Sequence, residues 1–184
     1  EFKMHKFIMF ENGKRANFYI DNEADAGIRK IAETVLSDFT KVTDEKAGLQ
    51  DTVCGDYCIA FTQYGKSSLL TQLEETGRID LADIKDKWEV YGFYVLENPY
   101  PDVEKLLIIA GSDKRGTIYG MFHLSELMGV TPLCYFADAV IPRKEKLIFT
   151  FSDKEISKEP SVQYRGFFIN DEWPCFGNWC VEHF

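Results

Sequence analysis

No apolar run in the chain approaches the roughly 20 residues that span a bilayer, and its first residues form no signal-peptide core. Positive charge is also short. Lys and Arg number 21 against 30 Asp and Glu, a net charge of -9 that repels phosphate backbones and leaves no polybasic patch for anionic lipid. Nucleic acid and membrane surfaces are therefore set aside as partners. Histidine is scarce, with His5, His123 and His183 standing singly. The five cysteines, Cys54, Cys58, Cys134, Cys175 and Cys180, are an odd number without ligand spacing. Cys54 and Cys58 bracket only Gly-Asp-Tyr. Thiols are expected rather than a metal site, no pattern implies a cofactor, and the cysteines do not fix the redox compartment.

What remains is a globular composition: 184 residues, 45% hydrophobic and 15% aromatic, enough for one well-filled core. Residues 7–10 and 17–20 are apolar runs separated by Glu11-Asn12-Gly13-Lys14, which predicts a β-hairpin. Asp21, Asn22 and Glu23 precede Ile28, Ile31, Ala32, Val35, Leu36 and Phe39 at helical spacing, predicting a capped helix that ends near Lys41. Residues 58–62 suit a short buried strand, followed by Gly65-Lys66-Ser67-Ser68 and a helix carrying Leu69, Leu70 and Leu73 that closes at Gly77. Residues 88–96 alternate as a strand, which Asn98-Pro99-Tyr100-Pro101 should end. Residues 106–110 are a continuous apolar run, as in a central strand covered on both faces. A helix bearing Ile118, Met121, Phe122 and Leu127 should follow and stop at Gly129, and residues 146–151 form a further strand.

Strands and helices alternate without repeats, so the fold class is α/β: a mixed sheet with packed helices over residues 1–157. Lys158-Glu159-Pro160 suits a linker. Residues 164–169 then predict a buried strand that opens a second domain, residues 158–184. The chain stops at Phe184, so this strand is expected to be the first of a truncated (β/α)8 barrel. Glu1 is not an initiator Met, which leaves room for a trimmed signal segment.

Three segments are candidates for chemistry. Gly111-Ser112-Asp113-Lys114-Arg115-Gly116 joins a strand to a helix, where amides and the helix dipole could cradle an anion with help from Lys114 and Arg115. Its spacing fits neither the P-loop nor the dinucleotide pattern, and a tight turn whose glycines take unusual dihedrals is the preferred account. Gly65-Lys66-Ser67-Ser68 resembles the tail of a phosphate loop, but helix capping explains it better. Asn170-Asp171-Glu172-Trp173 is different, because polar groups ending an apolar strand have no core role. Asp171 would share one face with Ile169, while Asn170 and Glu172 share the other. Two such neighbours diverge, so they do not form the carboxyl pair, roughly 5 to 9.5 Å apart, that a glycosidase sets across its scissile bond. Trp173 and Trp179 could stack on a sugar, although tryptophans at a domain junction more often pack.

Glu97-Asn98-Pro99, the segment Ala110-Gly111-Ser112-Asp113-Lys114-Arg115-Gly116-Thr117-Ile118-Tyr119-Gly120, and Tyr164-Arg165-Gly166-Phe167-Phe168-Ile169-Asn170-Asp171-Glu172 resemble glycoside hydrolase family 115. The resemblance runs from about Cys58 to Trp179. It implies a non-catalytic α/β domain ahead of a (β/α)8 barrel, and an inverting, metal-independent removal of α-1,2-linked glucuronic acid or its 4-O-methyl ether from xylan. It further implies that Asp171, with Asn170, Glu172 and Trp173 beside it, lines the uronate pocket. The general acid and base would lie beyond Phe184, so the 184-residue chain alone is expected to be inactive. Glucuronoxylan becomes the expected partner, and a periplasmic or extracellular location the expected one. The rival from another class is a self-standing carbohydrate-binding or anion-binding module that grips a carboxylate through Lys114 and Arg115.

Overall fold

The computed structural model describes residues 3–171 and 176–183. Strand β1 (Met4–Glu11) buries alternate side chains, including His5, Phe7 and Met9, as a strand with one covered face must. Asn12 and Gly13 both take positive φ, 53° and 74°, and return the chain into β2 (Lys14–Arg15). The hairpin turn thus stands where Asn-Gly predicts it, but β3 (Asn17–Ile20) is not its second arm. Phe18 and Ile20 enter one core while Tyr19 enters another. A strand apolar on both faces belongs inside a covered sheet, and β3 runs parallel to β5 (Tyr57–Gln63) instead.

Helix α1 (Ala26–Thr43) directs Ile28, Ala32, Val35, Leu36, Phe39 and Val42 into the core. Its cap is Asp25, whose carboxylate accepts the Gly27 amide at 2.7 Å, rather than the earlier Asp21-Asn22-Glu23 cluster. Asp21 serves elsewhere: its Oδ1 accepts the Tyr19 hydroxyl at 2.9 Å and the Ser68 hydroxyl at 2.8 Å, tying the end of β3 to α2 (Ser68–Glu75). Ser67 caps α2 by accepting the Leu70 amide.

The larger sheet adds β4 (Leu49–Gln50), β6 (Tyr91–Tyr100), β7 (Val103–Gly111) and β9 (Lys154–Ile156), in the order β4-β3-β5-β7-β6-β9. The β3, β5 and β7 pairings are parallel, while β6 is antiparallel to both β7 and β9. β6 ends at Tyr100, within the Asn98-Pro99-Tyr100-Pro101 stretch expected to end it, but keeps Asn98-Pro99 inside the strand. The register shifts there as a bulge and resumes at the Tyr100–Val103 pair, which is where a sheet accommodates proline. Leu107 and Ile109 of β7 face α1 and α3 (Lys114–Met128), and Leu106, Ile108 and Ala110 face α2 and the 79–84 segment. The mixed α/β fold expected of the sequence is therefore present, with helices on both faces. A smaller sheet, β2-β1-β8, pairs β1 with β8 (Lys146–Ser152) and packs Phe7 and Phe151 against the same core as α1. A short helix, α4 (Leu133–Phe136), follows α3.

Residues 164–169 do not form the expected buried strand. Tyr164, Phe167 and Phe168 are at least 89% exposed, and residues 160–171 carry no strand. No ladder among the described residues reaches them, and a strand without a neighbour leaves each backbone donor and acceptor unpaired.

Candidate functional site

Two of the three segments that carry the family resemblance meet at one turn. Glu89, just ahead of β6, sits at φ 54° and is only 6% exposed. Its amide donates to Asp113 Oδ2 at 2.8 Å, while Asp113 Oδ1 accepts the Gly116 amide at 2.8 Å and caps α3. Ser112 completes the splice: its Oγ accepts the Val90 amide, and its own amide donates to the Val90 carbonyl. The Glu89 carboxylate faces two cations. Arg115 Nη1 donates to Oε1 at 2.8 Å, and Arg165 Nη2 donates to Oε2. Together, Arg115 first, they hold the Glu89 carboxyl below its usual range.

Arg165 is fixed from other directions too. Its guanidinium lies 5.6 Å from the centre of the Trp88 ring, and Nη1 donates to the Val162 carbonyl at 2.7 Å. The preceding chain is stitched to the same turn, since the Trp88 amide donates to Glu159 and Ser157 exchanges two hydrogen bonds with the Tyr91 backbone. The segment expected to be a linker is thus anchored to the α/β body.

This geometry decides how the 110–116 loop works. Asp113 already occupies the Gly116 amide of the helix start, Lys114 pairs with Asp25 at 2.8 Å, and Arg115 pairs with Glu89. Both cationic side chains that would help an anion are thus engaged. The glycines are structural, as expected, but not through unusual dihedrals: neither Gly111 nor Gly116 has positive φ. Each instead leaves room for close packing, because a β-carbon on Gly111 would strike the Thr117 backbone.

Of the four residues expected at the uronate pocket, Asn170 and Asp171 are exposed, whereas Glu172 and Trp173 lie outside the described residues, as does Cys175. Asp171 Oδ1 accepts the Gly177 amide at 2.7 Å, at the head of α5 (Phe176–His183). Trp179 stacks on Phe176 within that helix, their ring centres 5.7 Å apart. Among the described residues no cluster of His, Cys, Asp or Glu could hold a metal ion, and no helix is long and apolar enough to cross a membrane. Cys54, Cys58, Cys134 and Cys180 are free thiols.

Two features escape sequence reasoning. Tyr119, Phe122, His123 and Glu126 repeat at helical spacing on the outer face of α3 and, with Tyr91 and Phe167, line a cavity of about 620 Å³. That second stripe on α3 is the signal that could have found it. Buried His5 places Nδ1 3.0 Å from Glu97 and Nε2 2.6 Å from Asp153, joining the small sheet to the large one. A lone histidine in a strand gives no such signal.

The model of glycosyl hydrolase family 115 matches residues 157–184, the stretch that contains Arg165, Asn170 and Asp171. The solved structure of a novel family GH115 4-O-methyl-alpha-glucuronidase, BtGH115A, with specificity for decorated arabinogalactans, is 29% identical over 91% of this chain, with a TM-score of 0.71. Both comparisons make the chain similar to glycoside hydrolase family 115. The chain spans only 20% of that relative's length. The structure of CpGH84D, 10% identical over 91% of this chain and 24% of its own, has a TM-score of 0.54 and shares the fold alone. No curated protein matches the chain.

Proposed function

We propose that residues 1–157 are the non-catalytic N-terminal domain of a glycosidase that removes α-1,2-linked glucuronic acid, or its 4-O-methyl ether, from a decorated polysaccharide, and that residues 158–184 open its catalytic (β/α)8 barrel. The observation that carries this reading is the family match over residues 157–184, continuous with a superposition on BtGH115A that takes in 91% of the chain. Glucuronoxylan is the proposed substrate, and the specificity of BtGH115A for decorated arabinogalactans makes that class of polysaccharide the nearest competitor. Export to the periplasm or beyond the cell suits a polysaccharide of either kind.

In this reading Asn170, Asp171, Glu172 and Trp173 bind and orient the uronate, with the carboxylates accepting hydrogen bonds from its hydroxyls, the Asn170 amide donating or accepting, and the indole stacking. Inversion needs a carboxylic acid to protonate the leaving oxygen and a carboxylate to activate water, set roughly 6.5–9.5 Å apart. Adjacent residues such as Asp171 and Glu172 do not satisfy that separation from one stretch of backbone, so acid and base belong to later parts of the polypeptide. No metal or cofactor takes part. The binding-module alternative is weaker, because Lys114 and Arg115 are committed to Asp25 and Glu89.

The test is release of uronic acid from glucuronoxylan and from arabinogalactan by the longer protein that carries this sequence, with the 184-residue chain assayed beside it. Release by the longer protein alone supports the reading. Release by the short chain would place the acid and base within these 184 residues and contradict it. Tight uronate binding by the short chain, lost in Lys114→Gln or Arg115→Gln, would favour the module.

A further inference from the structure

We infer that Glu89 is a positioning residue: a buried carboxylate that pins Arg165 and thereby sets where the chain leaves the α/β body on its way to Asn170 and Asp171. The inference rests on the glycosidase reading for its consequence in catalysis, but not for its geometry.

Glu89 is built to stay in place. It is 6% exposed, its φ of 54° is costly for a residue with a side chain, and its amide is held by the same Asp113 that caps α3. A carboxylate so placed needs cations, and it has two. Arg115 comes from the helix start and is part of the body, so it is a fixed neighbour. Arg165 arrives from the exposed segment and is the variable partner. Trp88 adds a flat surface for the guanidinium on one side. A charge-assisted pair with a largely buried carboxylate is stronger and more directional than a surface ion pair.

The placement has a consequence along the chain. Four residues separate Arg165 from Asn170 and five separate it from Asp171, and residues 160–171 have no strand ladder to hold them. Backbone that lacks a ladder takes its position from its anchors. Ser157, Glu159 and Arg165 are three successive anchors, all docked on residues 88–91, and Arg165 is the one of the three nearest in sequence to the pocket residues. The loop 110–116 thus acts as the foundation of this pin: Ser112 and Asp113 shape the 89–90 turn, and Arg115 supplies the second cation.

The test has two arms. In the 184-residue chain, backbone order parameters of residues 163–167 are measured by NMR relaxation for the wild type, Glu89→Gln, Arg165→Met and the double variant, with Lys114→Gln as control. The pin predicts values near those of ordered backbone, about 0.8, in the wild type and control, and below about 0.6 in each single variant, with the double no lower than either. Arg165→Met keeps the test open should Glu89→Gln fail to fold, because Arg165 lies outside both sheets. Values already below about 0.6 in the wild type, or unmoved by either substitution, would overturn the pin. In the longer protein, Glu89→Gln and Arg165→Met should lower kcat/KM on uronate-decorated polysaccharide about tenfold or more, while the melting temperature of the Arg165→Met protein stays within a few degrees of wild type. Lost order with undiminished kcat/KM would overturn the positioning role. A wild-type longer protein inactive on every such polysaccharide would overturn the glycosidase reading and, with it, the positioning role, leaving Glu89 as an anchor only.

Discussion

Gly116 lies so close to Val90 that a β-carbon on the glycine would overlap the Val90 carbonyl oxygen. The first turn of α3 therefore packs directly against backbone at the start of β6, and the turn bearing Glu89 depends on that approach. Since the atom in the way is backbone, it cannot swing aside. Gly116→Ala should cost about 1–3 kcal/mol despite the better helix propensity of alanine, whereas Gly166→Ala, which meets nothing within 4 Å, should stay within about 0.5 kcal/mol. Chemical denaturation of the two variants checks the contrast.

Glu97 predicts an acid-sensitive joint between the sheets. Hydrogen bonds from Lys3 and then His5 lower its carboxyl from 4.5 to about 2. A depressed carboxyl contributes stability that is present above its unfolded pKa and is lost as pH falls through the folded one. The melting temperature of wild type should exceed that of Glu97→Gln at pH 7, and the gap should close between about pH 4.5 and about 2. A gap that persists unchanged at pH 2 would remove Glu97 from this role.

Tyr94 is 3% exposed, and its hydroxyl has no hydrogen-bond partner among the described residues. Burial pushes its pKa well up, so the phenol stays neutral. An unpaired buried hydroxyl is costly, and Tyr94→Phe should be neutral or stabilising by about 1 kcal/mol. A loss above that size in a denaturation curve would reveal a partner for the hydroxyl.

Cys58 is fully buried, and burial raises its thiol to about 11. The thiolate is the reactive form, so at pH 8 iodoacetamide should leave Cys58 unmodified in the folded protein and alkylate it once the chain is unfolded. Mass spectrometry of the labelled peptides checks this.

Much of the fold was legible because periodicity reports burial. Leu106, Leu107, Ile108 and Ile109 form an unbroken apolar run and lie in the doubly covered strand that such a run implies. Pairing was harder. Asn17–Ile20 follows a genuine hairpin turn, and only its two-faced burial against α1 and α2 reveals that it leaves the hairpin for the parallel sheet. The candidate site was legible as segments but not as a meeting place. Glu89 carries no motif of its own, and its partners Arg115 and Arg165 stand 26 and 76 residues away in sequence. The apolar run at 164–169 suggested a buried strand because hydrophobicity alone does not supply the neighbouring ladder a strand requires.

The measurement that bears most directly on the central claim is kcat/KM for uronic acid release by the longer protein and by its Asp171→Ala variant, with the melting temperature of each. The account predicts a folded variant whose kcat/KM falls about 100-fold, the loss of a charged group that orients the uronate. A folded variant that releases uronic acid as fast as wild type would contradict the placement of the 170–173 segment in the pocket.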